Sequence, residues 1–206
     1  MKNIYKNIDN YYSSKIKTHG PTPKGVDWNG EKSQYIRFRQ LSKIILTNKF
    51  SISDIGCGYG EYLRFLKENF NDFQYKGYDL SQEMIANAQK IYAERESEFL
   101  YLENLENIIQ ADYSIASGVF NVKMHFDDIE WLNYILDTLE KINIKSKKGF
   151  AFNVLTKYSN KEFLDDQLFY ADPLFLFDYC KKNFASNVAL LHDYELYEFT
   201  ILVRKK

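Results

Sequence analysis

Apolar residues recur along this chain at two spacings, and the change between them falls near residue 50. Before it the spacing is helical. Ile4, Tyr5, Ile8, Tyr11, Tyr12 and Ile16 fall on one side of a 3.6-residue repeat, which predicts a short amphipathic helix within residues 1–20. Gly20-Pro21-Thr22-Pro23-Lys24-Gly25 predicts a loop, because two prolines and two glycines interrupt any regular element. Residues 31–48 return to the helical repeat, with Tyr35, Phe38, Leu41, Ile45 and Leu46 inward. From residue 51 short apolar runs alternate with helical stripes. The runs predict strands over 51–55, 75–79, 98–102, 113–117, 149–155, 188–192 and 197–203. The stripes predict helices over 61–70, 82–95, 127–142 and 173–183, and residues 103–110 read as a turn or a short helix. Ile85, Ala88, Ile91 and Tyr92 should face inward on the second of these helices. Ile129, Leu132, Ile135, Leu136 and Leu139 should do so on the third, and Leu174, Phe177 and Cys180 on the last.

Strands alternating with helices predict an α/β fold whose parallel sheet carries helices on both faces. The last two strands break that rule. Only a few residues around Asp193-Tyr194-Glu195 join them, too few for a crossover, so they must run antiparallel.

The first strand leads directly into Asp54-Ile55-Gly56-Cys57-Gly58-Tyr59-Gly60-Glu61. Three glycines at alternate positions between a strand and a helix allow positive φ and a close approach of ligand to backbone. The helix that follows turns its free N–H groups toward whatever lies there. Cys57 sits inside this turn, where a small side chain is needed. Asp79 stands at the tip of the next strand, about 20 residues on, where a carboxylate can accept from both hydroxyls of a ribose.

The spacing G-x-G-x-G, with Asp54 two residues ahead, resembles motif I of the class I S-adenosylmethionine-dependent methyltransferases. It differs from the G-x-G-x-x-G of dinucleotide-binding folds. The terminal hairpin is similar too. The resemblance covers about residues 50–206 and implies a three-layer Rossmann-like methyltransferase fold. Its sheet would be seven-stranded and mostly parallel, of order 3-2-1-4-5-7-6, with β7 antiparallel. The whole chain would form one domain, with residues 1–49 as a helical cap and 50–206 as the α/β core.

The resemblance implies S-adenosyl-L-methionine as cofactor. Asp54, Gly56, Cys57, Gly58 and Gly60 would meet it through the glycine loop. Asp79, Leu80, Ser81 and Met84 would flank the adenosine, with Ser81 also capping a helix. Ser117 and Gly118, after the fourth strand, would stand near the reacting end. Glu103 is a candidate for the adenine amino group, and Arg37 for the cofactor's carboxylate. The Asn- or Asp-Pro-Pro-Tyr motif of many nucleic-acid and amide methylating members is absent; Ser117-Gly118-Val119-Phe120 stands in its place. That favours a small-molecule methyl acceptor, with oxygen ahead of nitrogen.

A hydroxyl acceptor calls for a general base. The chain has three histidines, His19, His125 and His192, and each is a candidate as well as an ordinary surface residue. Trp28, Tyr158 and Tyr170 are candidates to line an aromatic acceptor pocket. A nicotinamide-dependent oxidoreductase and a non-catalytic binding protein of the same fold stay open as alternatives.

Composition changes the picture only by exclusion. Lys plus Arg number 27 against 28 Asp plus Glu in 206 residues, which argues against a nucleic-acid partner. Two cysteines without metal-ligand spacing imply neither a metal nor a disulfide framework. No apolar run reaches the length of a membrane span, and the polar N-terminus is unlike a signal peptide. A cytoplasmic monomer or homodimer is the expectation.

Overall fold

The computed structural model describes residues 2–28, 30–93, 98–160, 162 and 164–206. Its centre is one seven-stranded sheet of order β3-β2-β1-β4-β5-β7-β6. The strands are β1 (Lys49–Ile55), β2 (Asp72–Asp79), β3 (Glu98–Tyr101), β4 (Ala111–Ala116), β5 (Ser146–Leu155), β6 (Asn187–Leu191) and β7 (Glu198–Arg204). β3, β2, β1, β4 and β5 pair in parallel, while β7 lies antiparallel to both β5 and β6. The expected fold, strand order and hairpin all hold.

Among the described residues six α-helices cover the faces: α1 (Lys2–His19), α2 (Glu31–Ser42), α3 (Glu61–Asn69), α4 (Gln82–Ile91), α5 (Asp128–Lys145) and α6 (Pro173–Asn183). Side chains leaving a strand alternately feed two apolar cores. One joins Ile55, Phe150 and Phe152 to Ile4 and Ile8 of α1, Ile135 and Leu139 of α5, and Leu176 of α6. The other joins Ile52, Ile115 and Ala151 to Phe38 of α2, Leu63 and Leu66 of α3, and Ile85 of α4. Three helices start on local side-chain caps. Ser81 accepts from the Met84 N–H, Asp127 from the Glu130 N–H, and Asp172 from the Leu174 and Phe175 N–H groups just ahead of Pro173.

Several boundaries and facings differ from expectation. The helix predicted over 31–48 stops at Ser42. Ile44 turns into the core, and the Leu46 N–H donates to the Tyr113 hydroxyl instead of continuing the helix, which leaves the Leu46 side chain 68% exposed. Ile91, Ile129 and Leu174 are also exposed. On α5 the apolar stripe is carried by Trp131, Tyr134, Ile135 and Leu139, and Trp131 donates its ring N–H to the Phe120 carbonyl. On α6 Leu176 takes the buried place expected for Leu174. The predicted end of the helix over 82–95 falls on 94–97, outside the described residues. Among the described residues no helix is long and apolar enough to cross a membrane.

One buried ion pair ties α2 to the antiparallel edge. Arg37 Nε donates to Glu198 Oε2 at 2.8 Å, and Glu198 Oε1 accepts from Asn153 Nδ2 at 3.0 Å. Trp28 stacks over the guanidinium at 3.8 Å. Removing one member strands the other charge in the interior. Glu198→Ala is therefore expected to cost about 3–5 kcal/mol in urea unfolding. The double replacement Arg37→Met, Glu198→Leu should recover most of that loss.

Candidate functional site

All three glycines of the turn between β1 and α3 adopt positive φ: Gly56 at 73°, Gly58 at 55° and Gly60 at 88°. They do so for different reasons. A Cβ on Gly56 would fall 2.2 Å from Val119, and one on Gly58 2.9 Å from Val26. A Cβ on Gly60 would strike Phe99 and Tyr92, so this third glycine serves the packing of α3 against β3. Gly60 also begins α3 without a side-chain cap, which leaves the first-turn N–H groups open to the turn.

The turn is held down by β2. The Gly56 and Cys57 N–H groups both donate to the Tyr78 carbonyl. The Gly58 N–H donates to Asp79 Oδ2 at 2.8 Å, and the Ser81 N–H to Asp79 Oδ1 at 2.8 Å. These bonds use part of the acceptor capacity of a carboxylate, about four positions, and leave the rest for a ligand. Burial pushes the Asp79 carboxyl up to about 6, against the downward pull of the Ser81 and Gly58 N–H groups. Asp54 is 2% exposed and accepts from the Tyr75 hydroxyl at 2.7 Å. Burial pushes it up to about 7.

A partly open cavity lies at these carboxyl ends. Asp54, the glycine turn, Asp79 and Met84 form its floor, and Leu80, Leu102 and Leu105 an apolar end. Ser117, Gly118 and Val119 bound it on the β4 side, while Trp28, Gln34 and Phe38 bound it on the α2 side. Ile8 and Tyr12 of α1 reach it from the N-terminal helix. α1 is fixed there by Ser13 Oγ against Ser81 Oγ at 2.8 Å, and by Tyr11 and Lys15 on Asp27. Gly118, at φ 71°, gives its N–H to Asn153 Oδ1, and a Cβ there would meet the Trp28 ring at 2.3 Å.

Comparison with known proteins decides what this arrangement belongs to. Residues 53–143 match the family described as a methyltransferase domain. The protein "Putative methyltransferase Rv1506c" of Mycobacterium tuberculosis is 47% identical over 157 residues, spanning 76% of this chain and 93% of that protein. The chain belongs to the class I S-adenosylmethionine-dependent methyltransferases. Magnesium protoporphyrin IX methyltransferase from Synechocystis PCC 6803, with bound S-adenosylmethionine, matches at TM-score 0.65 and 13% identity over 98% of this chain and 97% of that one. Human N-acetylserotonin methyltransferase in complex with S-adenosylmethionine matches at TM-score 0.64 and 12% identity, over 98% of this chain and 59% of that one. At such identities these two likenesses describe the fold alone.

The methyltransferase brings most of the expected cofactor residues to one wall: Asp54, Gly56, Cys57, Gly58, Asp79, Leu80, Met84, Ser117 and Gly118 all line the cavity. Gly60 and Ser81 stand behind it. Ser81 caps α4 as expected but is fully buried between α4 and Ser13. Glu103 is exposed and faces a separate groove beside α1, so the nearest side chains to the apolar end are Leu102 and Leu105 instead. Arg37 is committed to Glu198 beneath Trp28 and is not on the wall.

The three histidines need the plainest correction. His19, His125 and His192 are all exposed, and none lines the cavity. His19 ends α1, His125 stacks on Phe126, and His192 leans on Tyr158 and Phe199. Of the aromatic candidates only Trp28 reaches the cavity; Tyr158 and Tyr170 do not. Sequence reasoning missed Gln34, Glu61, Tyr134 and Thr138. Glu61 directly follows the last glycine, which was a usable signal; the others stand on helix faces with nothing to mark them.

Two expectations follow. Gly58→Val sets a branched side chain at positive φ against Val26 and across the cavity floor. It should abolish binding of S-adenosylhomocysteine in calorimetry while the protein stays folded by circular dichroism. Asp79 gives a pH signature. Its proton is held more tightly folded than unfolded, so its contribution to the stability of the ligand-free protein is full below about 4 and is lost as pH rises through about 6. Accepting from a ligand requires the ionised form, so affinity runs the other way. S-Adenosylhomocysteine should bind severalfold more weakly at pH 5 than at pH 7.5. Asp79→Asn should bind more weakly at pH 7.5 and show a flatter profile; an unchanged profile would remove Asp79 from the binding site.

Proposed function

We propose that this methyltransferase methylates a small molecule seated against the wall that Trp28 and the Gly118 turn form together, within a single domain whose residues 1–49 cap the α/β core of 50–206. The observation that carries this reading is the course of the cavity. It runs from Asp79 past the glycine turn to Trp28 and Gly118, and the chain's own α1 and α2 form its other wall. Such enclosure suits a small acceptor. Acidic residues on the wall, Asp54, Glu61 and Asp79, would repel a phosphate backbone.

The residues fit the cofactor. Asp79 retains acceptor capacity at the tip of β2, Gly58 lets the backbone come close, and Leu80, Leu102 and Leu105 offer an apolar slot for a base. Bound there, S-adenosylmethionine supplies an electrophilic methyl group. The task left to the protein is orientation and exclusion of water. Trp28 and the glycine at 118 would set the acceptor's plane, and Ile8, Tyr12 and Phe38 would keep the site dry. The three histidines were the candidate bases for a hydroxyl acceptor, and none lines the cavity. The wall instead offers Glu61, whose carboxyl burial raises, and which can take a proton from a hydroxyl or an amine alike.

With methyl-labelled S-adenosylmethionine and a cell extract, label should enter the low-molecular-mass fraction. Transfer into RNA, DNA or protein instead would overturn the reading. Thermal shift should respond to S-adenosylmethionine and S-adenosylhomocysteine and not to NAD or NADP.

A further inference from the structure

Among the described residues, three buried polar atoms on the cavity wall have no hydrogen-bond partner: Gln34 Oε1, Ser117 Oγ and Thr138 Oγ1. Two are hydroxyl oxygens, which rotate to donate or accept as needed. An amide oxygen only accepts. Gln34 is 4% exposed, and its amide approaches the Tyr59 phenol on the glycine turn. A buried acceptor without a donor is a cost to the folded protein that a ligand N–H would remove.

Glu61 stands on the same wall, at the first residue of α3. Its side chain is 12% exposed and pairs with Arg64 at 3.3 Å and the Tyr35 hydroxyl at 3.4 Å. Arg64 makes its shorter contact, 2.8 Å, with Glu31. Burial raises the Glu61 carboxyl in spite of Arg64. Among the described residues no lysine, arginine or histidine lines the cavity, and every charged side chain on its wall is acidic. Gln34 and Glu61 both approach the Tyr59 phenol, and an orphan acceptor on a wall whose lining charges are all acidic is complementary to a positively charged N–H donor.

We propose that Gln34 Oε1 and Glu61 form a primary-ammonium subsite beside the glycine turn. The proposal rests on the reading of this cavity as the cofactor and acceptor site. An ammonium brings three donors and a charge, and it has two sources here. One is the amino-acid end of the cofactor; the other is an amine carried by the acceptor.

Calorimetry separates them with two ligands and one probe. S-Adenosylhomocysteine carries the ammonium; 5′-methylthioadenosine keeps the nucleoside and thioether but lacks the amino-acid end. 2-Phenylethylamine, titrated into protein saturated with S-adenosylhomocysteine, probes the acceptor side. If the cofactor fills the subsite, Gln34→Ala weakens S-adenosylhomocysteine about tenfold and leaves 5′-methylthioadenosine unchanged. If the acceptor fills it, Gln34→Ala leaves both unchanged but removes 2-phenylethylamine binding seen in the parent. Gln34→Glu keeps an acceptor oxygen and loses the amide N–H groups, so it should preserve binding in either case. The proposal is overturned if Gln34→Ala changes none of the three, or weakens both nucleosides equally. It is also overturned if Gln34→Glu fails as Gln34→Ala does, since the amide would then act as a donor. Parent protein that binds no S-adenosylhomocysteine would overturn the cofactor reading itself, whereas parent binding with unaffected variants overturns only the subsite.

Discussion

The site depends on a carboxylate that serves backbone before it serves any ligand. Asp79 receives the Gly58 N–H on one oxygen and the Ser81 N–H on the other. It thereby joins the glycine turn after β1 to the start of α4 after β2. Both turns carry main-chain donors that would otherwise be unsatisfied at the edge of a cavity, and a buried unsatisfied donor costs about 1–3 kcal/mol. One side chain at the tip of β2 satisfies both, and in doing so fixes the relative height of two adjacent strand ends. The positive φ values of Gly56 and Gly58 become affordable because the turn they produce lands on this anchor. The raised carboxyls of Asp54 and Asp79 are the electrostatic counterpart: two acids are kept in a poorly hydrated floor where a cationic ligand is welcome.

The cap is joined to the same floor. Val26 presses on Gly58, Ile16 meets Tyr59 and Met84, and Ser13 shares a hydrogen bond with the cap of α4. On the far side a chain of contacts runs from the Gly118 N–H through Asn153 and Glu198 to Arg37, and then through the Trp28 ring back to Gly118. Arg37, Asn153, Glu198 and Gly118 are buried and Trp28 is half-buried, so the indole has little freedom to leave the wall. The two halves of the cavity are thus held by different forces: main-chain hydrogen bonds at the Asp79 end, and an ion pair with a stacked ring at the other.

Much of the fold was legible because it is written in local patterns. The strand runs, the short link at 193–195 and the spacing of the glycines each depend on neighbours in sequence, and so does the cap at Ser81. The wall contributed by α1, α2 and α5 was not legible. Gln34 is a polar residue on a helix, and only the docking of that helix against the glycine turn makes it a buried one. Arg37 was read as a ligand residue because its partner, Glu198, lies 161 residues away on β7. The histidines drew attention through their chemistry, yet nothing in their surroundings carried apolar periodicity toward the site. In a chain with 17 tyrosines the aromatic signal was also diluted, and Trp28 stood out only once its ring was found against Gly118.

The two cysteines make the turn observable from outside. Cys57 lies inside it, buried beside Gly77, and burial holds its thiol well above the ordinary range. Cys180 is buried in the core under α6, and its thiol is pushed up to about 12. Neither sulfur can react with an alkylating reagent until its surroundings open and the thiolate forms. Their reaction rates therefore time two different events, opening of the glycine turn at Cys57 and loss of the α6 core at Cys180. A ligand that closes only the first should slow the two labels unequally, and so separate local breathing from global unfolding within a single molecule.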